Sequence, residues 1–274
     1  MKITFIGGGN MAAALIGGLK KHGYSAAGIQ VVEPVEAARE RLTESFGIRC
    51  APAADAAALN CEVLVLAVKP QQMREAVAAF AGQLSGQLVI SIAAGLRLAD
   101  IGRWLGGKSG GYRKLVRTMP NTPALIGAGM TGLYADPSVD REGRETAEKI
   151  LGAVGRTLWI GDEAKMDAVT AVSGSGPAYV FYFIEALEAS ARGLGFTADE
   201  ARLLAIETFL GAARLAEQSQ ESVAVLRQRV TSKGGTTAAA LDCFDADGIR
   251  AAIERGVRAA DARGRELCEL LGKD

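Results

Sequence analysis

Residues 2–19 read K-I-T-F-I-G-G-G-N-M-A-A-A-L-I-G-G-L, and no other stretch limits the fold of this chain as strongly. Residues 2–6 form a short apolar run with Ile3, Thr4 and Ile6 β-branched, which suits a buried strand. Three glycines follow at once, and from Met11 onward the chain is rich in Ala and Leu, both good helix formers. Gly7-x-Gly9-x-x-Ala12, set between a strand and a helix, fits the G-x-G-x-x-G/A fingerprint of a Rossmann unit. Gly7 permits the tight turn, Gly9 lets the backbone approach a pyrophosphate, and Ala12 lets the helix lie close to the strand. The helix N-terminus then presents free N–H groups and a partial positive charge to the phosphates. Two alternatives are a tight turn with no ligand and a secretory leader cleaved after Ala12-Ala13-Ala14. Against the leader, the glycines and Asn10 interrupt the apolar run, and Lys2 is the one charge before it.

The 274 residues suffice for one large domain or two ordinary ones, and 49% apolar content provides a sizeable core. Lys plus Arg and Asp plus Glu both number 31, so the basic bias expected of a nucleic-acid or membrane-surface partner is missing. No apolar stretch of bilayer-spanning length is free of Gly and charge. Cys50, Cys61, Cys243 and Cys268 form no C-x-x-C pair and have no nearby histidine, which excludes the usual zinc spacing. Free thiols in a reducing cytoplasm are expected, with no metal.

Strands and helices alternate through the first 161 residues. Strands are predicted at 29–32, 63–68, 88–92, 114–117, 130–134 and 157–160, with helices at 36–46, 73–80, 98–105 and 141–154. Such alternation indicates a doubly wound α/β domain with a parallel sheet. From 162 to 274 no convincing strand occurs. Helices are expected at 177–194, 198–217, 222–230 and 236–244, and a last helix carries one apolar stripe through Ile249, Ile253, Val257, Ala260, Leu267 and Leu271. The expected organisation is therefore a Rossmann-type domain, 1–161, followed by an all-helical domain, 162–274. The 177–194 helix is apolar on nearly every face, which one small helical domain cannot easily bury.

Several groups suit a nucleotide enzyme. Glu33 ends the second strand about twenty residues past the glycine loop, where a carboxylate accepts the ribose hydroxyls of NAD and repels the 2′-phosphate of NADP. Arg39 and Arg41 could still reach a phosphate, so both cofactors stay open. Ala67-Val68-Lys69-Pro70 and Ala93-Ala94-Gly95 end two further strands, and small residues at carboxyl ends leave room for a dinucleotide. In the helical half, Ser173-Gly174-Ser175-Gly176-Pro177 and Thr231-Ser232-Lys233-Gly234-Gly235-Thr236-Thr237 each read as a Gly-rich helix start able to receive a small anion. Either one alone could be an ordinary N-cap.

The single histidine, His22, lies far from any strand's carboxyl end. No Tyr is followed by Lys four residues later, and no Lys follows the 173–177 turn on the long helix. A carbonyl–alcohol interconversion requires such a proton carrier. A C=N bond requires it less, because an imine nitrogen is basic enough to take a proton from solvent. The residues thus point to imine reduction over a β-hydroxyacid dehydrogenase or a nucleotide-binding scaffold without turnover.

F-I-G-G-G-N-M at 5–11, A-V-K-P-Q at 67–71, S-I-A-A-G at 91–95, M-P-N-T-P at 119–123, S-G-S-G-P-A-Y at 173–179 and T-S-K-G-G-T-T at 231–237 run through the chain in this order. Together they resemble the pyrroline-5-carboxylate reductase family of proline biosynthesis. The resemblance implies reduction of 1-pyrroline-5-carboxylate to L-proline with NADPH or NADH. It implies nucleotide contacts from Ile6, Gly7, Gly8, Gly9, Asn10, Met11, Lys69, Ala93 and Ala94. It further implies substrate contacts from Ser175, Gly176, Gly234, Gly235, Thr236 and Thr237, with the hydroxyls of Thr237 and Ser175 as the catalytic groups, Thr237 facing the ring nitrogen. Homodimers interlocked through the helical domain, often assembled into decamers, are implied as well. Two departures stand out. Lys233 replaces the proline usual in S-P-G-G-T-T, and Glu33 replaces a small neutral residue, which favours NADH here against the commoner NADPH preference.

Overall fold

The structure is a computed structural model describing residues 1–107 and 110–273, so Lys108, Ser109 and Asp274 of the expected domains lie outside it. In chain order the elements are β1 (Ile3–Ile6), α1 (Asn10–Lys21), β2 (Ile29–Val32), α2 (Glu36–Phe46), β3 (Arg49–Ala51), α3 (Ala56–Leu59), β4 (Val63–Leu66), α4 (Met73–Ala78), β5 (Leu88–Ser91) and α5 (Leu98–Gly106). They continue with β6 (Leu115–Met119), β7 (Gly129–Ala135), α6 (Arg141–Gly152), β8 (Gly155–Trp159) and α7 (Met166–Val169). The purely helical remainder is α8 (Gly176–Gly193), α9 (Ala198–Gln218), α10 (Val223–Arg229), α11 (Thr236–Ala246) and α12 (Ile249–Leu271).

The eight strands form one sheet in the order β3-β2-β1-β4-β5-β6-β7-β8. All neighbours are parallel except β6 and β7. Strand order reverses between β1 and β4, and such a switch point opens a crevice at the carboxyl ends of the strands. The central strands β1, β4 and β5 are buried at every residue because helices cover both faces. In β4, Val63 and Val65 enter one core with Leu15, Ile16, Leu19 and Ile150, while Leu64 and Leu66 enter the other with Met73, Val77, Phe80 and Ile101. That split follows from the two-residue period of a strand. Each such side chain contributes about 1.5–3 kcal/mol by leaving water.

The short β3 and α3 were not expected from the sequence. β3 is three residues long and alternates no apolar pattern, so it is defined by its pairing with β2.

Two compact units result, and their limits differ from a division at 161/162. The first comprises 1–175 and 260–273, the second 176–259. Strand character ends near 161, but the chain from 162 to 175 and the end of α12 pack against the sheet unit. Arg117 on β6, 3% exposed at its side chain, pairs with Asp167 on α7 at 2.8 Å and with Glu163 at 3.5 Å. Cys268 donates its thiol to the same Asp167 oxygen at 3.3 Å. Burial pushes the Cys268 thiol pKa up, which keeps the proton that this bond needs. A Cβ on Gly264 would stand 3.3 Å from Asp167, so the end of α12 lies close over α7.

The second unit buries little within itself. α8 packs along α9, which starts with a reciprocal capping box between Thr197 and Glu200. Ala201 and Ala205 are its fully buried apolar residues, whereas Phe181 is 63% and Tyr182 70% exposed.

Candidate active site

The glycine loop occupies the switch point. Gly7 has φ +99°, and a Cβ there would come within 2.8 Å of the Ala67 carbonyl carbon and oxygen. Both the backbone twist and the approach of Ala67 therefore require glycine. Gly7 N–H donates to Val32 O and Ala67 N–H to Ile6 O, so β1, β2 and β4 end together. Ile92 N–H donates to Leu66 O and brings Ala93 and Ala94 to the same edge. Gly7, Gly8, Gly9, Glu33, Ala67, Val68 and Ala93 thus gather at the carboxyl ends of β1, β2, β4 and β5, with Lys69 exposed beside them and Pro70 opening the next turn.

The crevice fits a dinucleotide. Gly9 caps α1 with no side chain over the first amides, and the first turn carries no acidic residue. Nothing lies within 4 Å of where a Gly9 Cβ would stand. Open space above uncapped N–H groups is what a pyrophosphate requires.

Glu33 turns back onto the loop. Its Oε2 accepts from Gly8 N–H and its Oε1 from Val35 N–H, both at 2.9 Å. Arg39 directs one guanidinium nitrogen to the carbonyls of Glu33 and Pro34, at 2.9 and 2.6 Å. The carboxylate is held against the glycine loop, and Arg39 is engaged with backbone.

The segment 173–177 differs from the expected open helix start. α7 runs into a π-turn over Thr170–Gly174, with Ser175 N–H donating to Thr170 O at 2.8 Å, and α8 begins at Gly176. The Ser175 amide is therefore not free for an anion. Two hydroxyls bond back onto the preceding turn, Thr170 to Met166 O and Ser173 to Val169 O, each at 3.0 Å, a pattern that loosens a helix at this point. Ser175 alone of the two serines keeps a hydroxyl without a partner among the described residues.

In the second unit, α11 opens at Gly235 with no side-chain cap. Gly234 has φ +71°, and Gly235 N–H bonds to Ser232 O at 3.1 Å, so the loop is tightly turned. The first amides of α11 and the hydroxyls of Thr236 and Thr237 stand together at a helix N-terminus, as the motif predicted. Lys233 is exposed at the loop tip.

Asn121 has no assigned role in the sequence reading, although it lies in the M-P-N-T-P motif. Its Nδ2 donates to Ser173 O at 3.0 Å and its Oδ1 accepts from Met130 N–H at 2.9 Å. Pro177 was the available signal, since a proline leaves a carbonyl four residues earlier without its donor.

Comparison with known proteins agrees with this geometry. Residues 163–267 match the family model described as pyrroline-5-carboxylate reductase dimerisation. Residues 2–95 match that of the coenzyme F420-dependent NADP oxidoreductases. Pyrroline-5-carboxylate reductase of Pseudomonas aeruginosa is 45% identical over 273 residues, covering 99% of this chain and 98% of the relative. That of Haemophilus influenzae is 42% identical, covering 98% of each. The solved pyrroline-5-carboxylate reductase of Coxiella burnetii superposes with a TM-score of 0.90 at 41% identity, covering 97% of this chain and 98% of its own. The Plasmodium falciparum enzyme, solved with NADP bound, gives 0.86 at 26% identity and covers 98% of each chain. Similarity of this extent, over sheet unit and helical unit alike, makes the chain a member of the pyrroline-5-carboxylate reductase family.

Proposed function

We propose that this chain reduces the C=N bond of 1-pyrroline-5-carboxylate to L-proline with NADH or NADPH, the last step of proline biosynthesis. The observation that carries the reading is the full-length identity to reductases of that name, 45% over 273 residues. The geometry supplies its physical content. The amides of Asn10 and Met11 at the start of α1 hold the pyrophosphate, and Ile6, Gly7, Gly8, Gly9, Ala67, Val68, Lys69, Pro70, Ala93 and Ala94 wall the crevice. The reduced nicotinamide, when bound, supplies the hydride. The uncapped start of α11, with Gly234, Gly235, Thr236 and Thr237, receives the substrate carboxylate. Thr237 is assigned the ring nitrogen, and Ser175 and Gly176 are the further substrate-facing residues that the family motif implies. The ring nitrogen takes its proton from solvent and the hydride goes to the imine carbon, so no residue of this chain changes oxidation state.

The apolar surface of the second unit supports assembly as a homodimer through that unit, the building block from which a decamer would be made. Four unpaired cysteines fit a cytoplasmic location. Oxidation of NADH and NADPH with 1-pyrroline-5-carboxylate, followed by absorbance, tests the function. Turnover with either cofactor is the expected result, and no oxidation with both would overturn the assignment.

A further inference from the structure

We propose that Asn121 is a positioning residue that holds the π-turn before α8 and so sets where the Ser175 hydroxyl stands. The turn needs an outside partner. In a continuous helix Ser173 O would accept from residue 177, but Pro177 has no N–H. Asn121 Nδ2 takes that place at 3.0 Å. The amide has one satisfying orientation, because its other end faces a donor, the Met130 N–H. Met130 is on β7 and Asn121 lies two residues past the end of β6, so the turn is tied to the antiparallel pair of the sheet.

The tie is part of a longer grip. Arg117, Met119 and Asn121 alternate along β6 and its continuation, so their side chains share one face. Arg117 pairs with Asp167 at 2.8 Å. Met119 lies so close to Gly174 that a Cβ there would stand 2.6 Å from Met119 Cε. Asn121 holds Ser173 O. From β7, a Cβ on Gly132 would meet Val169 Cγ1 at 2.6 Å. The helix from α7 through the π-turn is thereby seated on β6 and β7 at successive points, ending at Gly174, the residue before Ser175. A π-turn without this partner has the option of relaxing to ordinary helical pairing, which rotates every later side chain about the axis. The aim of the Ser175 hydroxyl then changes, although Ser175 itself is untouched.

The catalytic part of this inference rests on the reading of Ser175 as a substrate-facing group, and the test separates the two. Asn121→Asp is isosteric, keeps the acceptor for Met130 N–H and turns an oxygen toward Ser173 O. In Asn121→Asp, amide exchange at Ser175, whose N–H bonds to Thr170 O, is expected to accelerate at least tenfold while β1, β4 and β5 amides keep their protection. kcat/KM for 1-pyrroline-5-carboxylate is expected to fall about tenfold, with the KM for the dinucleotide unchanged. Asn121→Ala should behave alike. Unchanged Ser175 exchange in Asn121→Asp overturns the proposal. Ser175→Ala with full activity would instead remove Ser175 from the substrate site, leaving the accelerated exchange as support for the hold on the turn.

Discussion

Glu33 and Gly8 are joined by a 2.9 Å hydrogen bond from the glycine-loop amide to the carboxylate at the end of β2. The absent Gly8 side chain makes the approach possible, since a Cβ would lie 3.3 Å from Glu33 Cγ and 2.6 Å from Leu42 Cδ1. A second bond from Val35 N–H fixes the other carboxylate oxygen. On the proposed reading of the glycine loop, this charge faces the adenosine ribose of the bound dinucleotide. A 2′-phosphate there meets a repulsion of about 1 kcal/mol in water and several-fold more where solvent is partly excluded. NADH is therefore expected to serve at least as well as NADPH. Glu33→Ser should raise kcat/KM for NADPH more than for NADH. A wild-type preference for NADPH of tenfold or more would refute this role.

Thr237→Ala should lower kcat/KM for 1-pyrroline-5-carboxylate with little change in dinucleotide affinity. Removing one hydrogen bond of this kind costs about 0.5–1.5 kcal/mol, and more toward a charged nitrogen. Steady-state kinetics with dinucleotide titration by fluorescence decides it, and an unchanged kcat/KM takes Thr237 out of the site.

Gly7→Ala should both destabilise the sheet unit and abolish dinucleotide binding. A left-handed conformation costs a residue with a Cβ roughly 1–2 kcal/mol before any clash. Here the new atom also meets the backbone of Ala67 at 2.8 Å. A urea midpoint equal to wild type would show that the loop can open without loss.

Arg117→Met should be strongly destabilising, by about 3–5 kcal/mol, because it leaves the buried Asp167 carboxylate without its countercharge. Arg117→Met combined with Asp167→Leu should recover much of that loss, since the pair itself gains little over apolar packing. Chemical denaturation of the two variants distinguishes a pair that must be balanced from one that adds net stability.

Sedimentation should show an oligomer with no folded monomer at micromolar concentration. Phe181, Tyr182, Leu187, Leu203 and Leu215 are all exposed in the single chain, on a unit whose fully buried apolar residues are two alanines. Phe181→Asp is expected to yield a less stable, largely dissociated protein. A well-folded wild-type monomer would refute the prediction.

The sequence by itself determined what depends on near neighbours along the chain. β1, the glycine turn and α1 follow from eighteen consecutive residues, because strand propensity, a conformation open to glycine and helix propensity act within a few residues of one another. The alternation of strands and helices, the all-helical end and the start of α11 at Thr236 were legible for the same reason. So was Glu33, whose distance from the glycine loop is set by one βαβ unit. What only the tertiary structure decided are pairings between residues far apart in sequence. Asn121 and Ser173 are separated by 52 positions, Arg117 and Asp167 by 50, and Arg117 and Cys268 by 151. Nothing in a lone Asn, Arg or Cys distinguishes a buried partner from a solvated one. The π-turn, the seat of α7 on β6 and the return of α12 to the sheet unit arise when packing removes water from these polar groups and obliges each to find a partner.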